Sequence, residues 1–372
     1  MRNGWGDLSL FRGGWAPILG HMAKRILING NLGYIGPVLA RHLRKVGPEA
    51  ELIGFDTGFF SGCILDPRVC PERMLDAQYF GDVRQFPDSL LEGVDAVIQL
   101  AAVSNDPMGK AFEEPTAEIN AAAVAAIAEQ AKAAGVGHFV FASSCSVYGA
   151  GGDDAKAEDS PLNPLTAYAR SKIACEEALQ PLASEDFRVT CLRFATACGM
   201  SPRLRLDLVL NDFVASALAV GKIKILSDGS PWRPLIHVED MSRAMEWACG
   251  REAEAGGPFL VVNTGSNEWN YPIRDLAEAV QSVLSGAEVE INRDAPPDKR
   301  SYRVNFDRFS GLAPEHVPEV SLRQAVEGLV EGLRAVDFSD AGFRESNWVR
   351  LKVLEDLKKA GAIDEGLYWV RG

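Results

Sequence analysis

Apolar runs and stretches of helical periodicity alternate along the first half of the chain. KRILIN (24–29) is a short apolar run that closes on a glycine cluster, the mark of a buried strand. GPVLARHLRKVG (36–47) has helical spacing and ends in glycine, and ELIGFD (51–56) reads as a second strand. AQYFGDVR (77–84) predicts a third strand, VDAVIQLAA (94–102) a fourth, HFVFASS (138–144) a fifth and FRVTCLRF (187–194) a sixth. TAEINAAAVAAIAEQAKAAG (116–135) predicts an alanine-rich helix stopped by glycine. Asn163 and Pro164 read as the N-cap and first position of a helix through Leu179.

Regular alternation with short links predicts an α/β protein built on a doubly wound parallel sheet with helices on both faces. Beyond Thr196 the pattern turns mixed: a helix at about 207–220, short strands KIKIL, PLIHV and FLVVN, and helices at 272–285 and 321–336. The expected organisation is an extension over 1–22, a nucleotide-binding unit over 23–195 and a smaller mixed α/β lobe over 196–336. Strands from about 233–264 would return to the main sheet, and a tail over 337–372 would carry a helix near 346–360. Met22 is a candidate translation start.

A chain of 372 residues is long enough for such a two-part unit. Its net charge of −13 argues against nucleic acid or an anionic membrane as the main partner, and no apolar run approaches transmembrane length. The start makes a poor signal peptide. Seven cysteines at irregular spacing with no C-x-x-C, and five scattered histidines, give no metal or redox pattern and suit a reduced cytoplasmic setting.

Candidate chemistry begins at INGNLGYIG (28–36). Gly30, Gly33 and Gly36 fall between strand one and helix one, where glycine permits a tight turn, close approach to a pyrophosphate and close helix packing. The loop (Gly30, Asn31, Leu32, Gly33, Tyr34, Ile35, Gly36) would set the phosphates at a helix N-terminus. Strand two ends in Asp56, a carboxylate suited to the adenosine ribose and hostile to a 2′-phosphate, so NAD is favoured over NADP. Asp82 and Val83 are placed to reach the adenine edge. Leu100, Ala101 and Ala102 are small or apolar residues where backbone must lie against a cofactor. Tyr168 and Lys172 share one helix face at i and i+4. A free tyrosine titrates near about 10, and a nearby ammonium would pull it down.

GxxGxxG, Asp56, ASSCSVYG (142–149), YARSK (168–172) and RPLIHVED (233–240) together resemble the extended short-chain dehydrogenase/reductase family in its nucleotide-sugar epimerase/dehydratase branch, over roughly residues 24 to 336. The resemblance implies a Rossmann fold, bound NAD, a nucleotide-diphosphate sugar as substrate and a homodimer through two long helices at about 108–134 and 164–180. It makes Tyr168 the acid/base that takes or returns a hydroxyl proton, Lys172 its partner and Ser144 a relay for that proton. It places Asn120 and Ser143 at the cofactor site, and Ser104, Thr196, Asn211, Arg233 and Arg300 on the substrate, the two arginines on its diphosphate. Thr196 stands where the family often has asparagine. Arg203 and Arg205 in SPRLRLD are additions that would suit a phosphate or an acidic sugar, or else solvated loop charges.

Within that branch, a 4,6-dehydratase carries an Asp-Glu pair directly after the serine. Here those positions are Cys145 and Ser146, poor substitutes for paired carboxylates. The expected reaction is therefore epimerisation: oxidation at C4, rotation of the keto-sugar and re-reduction. A 4-ketoreductase or dehydrogenase, a dehydratase with carboxylates drawn from elsewhere, and a silent NAD-binding regulatory protein are the alternatives.

Overall fold

The computed structural model describes residues 23–150, 154–295 and 301–370. The expected extension over 1–22, and Arg300, lie outside the described residues.

Strands β1 (Arg25–Asn29), β2 (Glu51–Asp56), β3 (Ala77–Phe80), β4 (Ala96–Gln99), β5 (His138–Ser144) and β6 (Arg188–Phe194) alternate with helices α1 (Gly36–Val46), α2 (Asp106–Ala111), α3 (Glu113–Ala117), α4 (Ala123–Ala133) and α5 (Ala167–Leu179). There follow β7 (Thr196–Cys198), α6 (Val209–Val220), β8 (Lys222–Ile225), β9 (Trp232–His237), α7 (Val238–Cys249), β10 (Phe259–Thr264), β11 (Asn270–Pro272), α8 (Ile273–Val283), β12 (Glu288–Ile291), α9 (Asp307–Leu312), α10 (Leu322–Arg334) and α11 (Arg350–Lys359).

The main sheet has the order β10-β6-β5-β4-β1-β2-β3, every pair parallel. The order in which the chain adds strands reverses between β1 and β4, the point where such folds bind dinucleotides. Ile26, Leu27 and Ile28 are all fully buried, with Leu27 facing one core cluster and its neighbours another. A parallel strand covered on both faces needs such a continuous apolar run. Helices α1 and α7 pack together on one face, and α4 and α5 on the other. The third core, around Leu210, Phe213, Leu276 and Leu329, belongs to the smaller lobe.

Three expectations change. Of the strands over 233–264, only β10 joins the main sheet, through β6. β9 lies between β7 and β11 in a separate three-stranded sheet. Helix α5 begins at Ala167, capped by Thr166, whose Oγ1 accepts from the Ala169 amide at 3.1 Å. Asn163 instead donates its amide to the Val147 carbonyl at 3.0 Å, which holds it in the preceding loop. The alanine-rich helix is interrupted by a π turn over Glu118–Ala122, which carries Asn120.

Candidate functional site

The carboxyl ends of β1, β2, β4 and β5 open into a cavity of about 940 Å³, walled on the far side by β7, α6 and the loop before β9. Gly30 has φ +87°, and a Cβ there would lie 2.3 Å from the Ala101 amide nitrogen. A Cβ on Gly36 would lie 2.1 Å from the Asn31 carbonyl oxygen. Side chains at either position would break the turn. Gly30, Gly33, Tyr34 and Ile35 line the cavity, as do Leu100, Ala101, Ala102, Asp82 and Val83. Asn31, Leu32 and Gly36 do not. Asn31 donates to Gln78 Oε1 at 2.5 Å, and the Leu32 amide donates to Asp56 Oδ2 at 3.0 Å. They shape the loop from behind.

Asp56 lies at the cavity, its other oxygen accepting from the Gly58 amide at 2.7 Å. Burial raises its carboxyl above the usual range, against the pull of those two amides. Each carboxylate oxygen keeps a second acceptor position for a ribose hydroxyl. Asp82 is gripped by Arg84 through Nε at 2.9 Å and a terminal nitrogen at 2.6 Å.

Ser144 ends β5, where its Oγ accepts from the Ser146 amide at 3.1 Å, and it lines the cavity together with Tyr168. Burial pushes Tyr168 up to about 12, while the neighbouring Ser144 and the Arg205 charge pull it back. Lys172 donates to the Ala142 carbonyl at 2.7 Å and stands 5.5 Å from the centre of the Tyr168 ring. Burial pushes its ammonium down to about 8. Ser143 lines the cavity and donates to Glu176 Oε1 at 2.5 Å, and Glu176 forms a buried ion pair with Arg193 at 2.6 Å. Asn120 is fully buried off the cavity. Its side chain accepts from the Val103 amide at 2.7 Å and donates to Ser171 Oγ at 3.1 Å, tying the loop after β4 to α5. It positions the site without lining it.

Of the residues expected on the substrate, Ser104, Thr196 and Arg233 line the cavity. Asn211 does not. It has no exposure, its Oδ1 accepts from the Gly199 amide at 3.0 Å and its Nδ2 donates to the Arg205 carbonyl at 2.9 Å, so its amide is consumed inside the protein. The two added arginines separate. Arg203 pairs with Glu72 at 2.6 Å away from the cavity, whereas Arg205 lines it, paired to Asp207 at 2.8 Å and donating to Ser104 Oγ at 3.2 Å.

The sequence reading missed Asp106, Asp207, Tyr302 and Ser146 as cavity residues, along with Arg344, Arg350, Leu354 and Leu367 from the tail. Alternation in RLRLD, with Arg205 and Asp207 on one side of an extended segment, was the available signal for Asp207. Cys145 turns away. It is fully buried, donates to the Arg193 carbonyl at 3.0 Å, and has a thiol raised far above its ordinary range by burial. All seven cysteines are free thiols. Among the described residues no cluster could hold a metal ion, and no helix is long and apolar enough to cross a membrane.

A glycine turn at the switch point, a carboxylate closing β2 and a Ser–Tyr–Lys set beside them define a dinucleotide-dependent enzyme. The family model described as the NAD dependent epimerase/dehydratase family matches residues 26–265, and the chain belongs to that family. A UDP-glucose 4-epimerase of Corynebacterium glutamicum is 25% identical over 325 residues, spanning 82% of this chain and 94% of that protein. A solved NAD-dependent NDP-hexosamine 5,6-dehydratase, TunA, involved in tunicamycin biosynthesis, superposes with a TM-score of 0.69 at 25% identity, over 85% of this chain and 100% of its own. A UDP-glucuronic acid 4-epimerase from Bacillus cereus, solved with UDP-glucuronic acid and NAD, gives 0.70 at 23%, over 84% of this chain and 99% of that one. The residues here fit a dinucleotide: Gly33 lines the cavity at the switch point, where a Cβ would meet nothing of the protein nearer than the Gly30 carbonyl oxygen at 3.3 Å, and Asp56 puts a carboxylate on the same wall at the end of β2.

Proposed function

We propose that this protein is an NAD-dependent nucleotide-diphosphate-sugar epimerase that works through a 4-keto sugar. The observation that carries the reading is the gathering of Ser144, Tyr168 and Lys172 on the wall of the switch-point cavity, with Cys145 buried away from it. The Tyr168 phenolate takes the C4 hydroxyl proton, and the Ser144 hydroxyl bridges the two oxygens. Bound NAD supplies the carbon that receives the carbinol hydrogen with its electron pair and returns it. Lys172 lends positive charge next to the phenol and orients the nicotinamide ribose. Arg233 anchors the diphosphate, with Arg300 proposed as its second contact, so that the sugar can turn while the nucleotide stays in place. Ser104 and Thr196 contact the sugar. We propose the cytoplasm as its setting and a homodimer as its assembly.

A second reading has one observation in its favour. Asp106 and Asp207 bring two carboxylates into the cavity that carries Tyr168, and Asp106 raises the tyrosine electrostatically. Asp207 is neutralised by Arg205, which outweighs the effect of burial and holds its carboxyl below the usual range, so the acid for a dehydratase would have to be Asp106. Purified protein incubated with UDP-, dTDP-, GDP- and CDP-sugars without added cofactor, followed by NMR, separates the two. Inversion at a carbinol carbon supports the epimerase, and loss of water supports the dehydratase. Turnover only on addition of NAD(H) would mark a reductase or dehydrogenase. NAD binding with no turnover of any sugar would leave a silent protein.

A further inference from the structure

We infer that the tail after α10 is part of the cofactor site: Leu367 and Leu354 wall the adenosine end of the cavity, and Arg84, Tyr368 and Trp369 hold that wall shut, so that NAD stays on the protein from one turnover to the next. The inference rests on the NAD-dependent reading above and extends it to residues outside the segment matched by the family model.

The tail is tied down at both of its ends. Near its start, Arg344 reaches Asp212 on α6 through two nitrogens, at 2.8 and 2.7 Å, and Ser216 at 2.7 Å. The Leu206 amide donates to the Trp348 carbonyl at 3.0 Å. The almost fully buried Arg350 donates to the carbonyls of Arg203 and Leu204 at 2.8 and 3.2 Å. These contacts belong to the smaller lobe and its approach. Helix α11 then carries the chain across the cleft. Beyond it, Arg84 donates to the carbonyls of Gly366 and Leu367 at 2.7 and 3.1 Å, with its guanidinium 3.4 Å from the centre of the Tyr368 ring. The Trp369 indole donates to the Thr57 carbonyl at 2.8 Å and lies 5.3 Å from the ring of Phe59. These contacts belong to the loops after β2 and β3.

The position of this second anchor decides its meaning. Thr57 follows Asp56, and Arg84 grips Asp82, so the tail meets the two loops that in a doubly wound fold receive the adenosine ribose and adenine. Leu354 and Leu367 are each about 1% exposed, yet both line the cavity with Thr57, Phe59, Phe60 and Val83. An apolar wall there removes the adenine ring from water. Leaving the site requires breaking the Trp369 and Arg84 contacts, so the tail acts on dissociation more than on association. Such retention suits a reaction that regenerates its cofactor in place, and hinders one that must exchange it each cycle.

The test is the dissociation rate of labelled NAD from the intact chain and from Trp369→Ala and Tyr368→Ala variants, chased with excess unlabelled NAD. Tyr368 and Trp369 are 36% and 45% exposed, so trimming them spares the core. Circular dichroism and the melting temperature in the absence of cofactor report folding. The expected result is stoichiometric NAD on the intact chain after gel filtration and release about tenfold faster in each variant. Tyr168→Phe, which leaves the tail alone, should release NAD at the intact rate. Folded variants that release NAD at the intact rate overturn the inference while leaving the epimerase reading standing. An intact chain that binds no NAD overturns the cofactor reading and the inference together.

Discussion

Tyr168 sits in a less accommodating environment than its spacing from Lys172 suggests. The sequence pattern implies that the lysine ammonium lowers the phenol. In the structure burial dominates and holds the phenol at about 12, with Ser144 and Arg205 as the groups that oppose it. Lys172 is buried too and is pushed down to about 8. Its charge therefore fades as pH rises through about 8, and kcat/KM should fall across the same range. For folding the sign reverses. A buried lysine is costly while charged, so that cost is full below about 8 and is relieved as pH climbs toward the ordinary 10.5. A Lys172→Met variant should have a lower plateau without the alkaline limb, and a limb that survives the substitution would refute the assignment. Tyr168→Phe should lower kcat by about 10²–10⁴-fold with NAD binding intact. Ser144, Tyr168 and Lys172 were legible as cavity residues because Ser144 closes β5 and Tyr168 and Lys172, four apart, share one face of α5. Asn211 misled because an asparagine amide serves a buried backbone as readily as a sugar, and only packing tells which.

Among the elements, the strands were the most legible. β5 runs over His138–Ser144, as its apolar pattern predicts, because a strand buried on both faces has little freedom of composition. Helix boundaries were less so. Asn163-Pro164 has the chemistry of a helix start, yet Thr166 takes the role, since its hydroxyl can cap Ala169 and also donate to Asp106 Oδ1 at 2.8 Å. The π turn around Asn120 has no signature in an alanine-rich run; its setting beside α5 is tertiary. Helix α5 and strand β6 are joined by the Glu176–Arg193 pair, both side chains 6% exposed. The guanidinium of Arg193 also donates to the Tyr148 hydroxyl at 3.0 Å. Removing one member leaves the other buried and uncompensated. Glu176→Ala should therefore destabilise the fold by about 3–5 kcal/mol in urea unfolding, and adding Arg193→Met should recover part of the loss. A single-variant cost below about 1 kcal/mol would show that water replaces the carboxylate there.

For the whole molecule, alternation along the first half announced the doubly wound sheet, and the strand order carries the cavity to the β1/β4 boundary. The smaller lobe was less legible. β9 could have extended the main sheet by composition, and its pairing with β7 and β11 is decided by where the chain after β6 turns. The tail was the least legible, because its contacts are single side chains such as Trp369 and Arg350 without periodicity. Since the cavity joins both halves, a dinucleotide seated in it should stabilise the folded chain as a unit. At one hundred times its Kd, NAD should add about 2.7 kcal/mol, seen as a melting temperature raised by a few degrees. NADP should raise it less, because its 2′-phosphate would meet the Asp56 carboxylate. Asp56→Ser should narrow the gap between the two cofactors. Gly30→Ala should abolish both shifts, as its methyl would stand 2.3 Å from the Ala101 nitrogen at a φ of +87°. Equal shifts for NAD and NADP in the intact chain would show that the Asp56 carboxylate does not discriminate between the two.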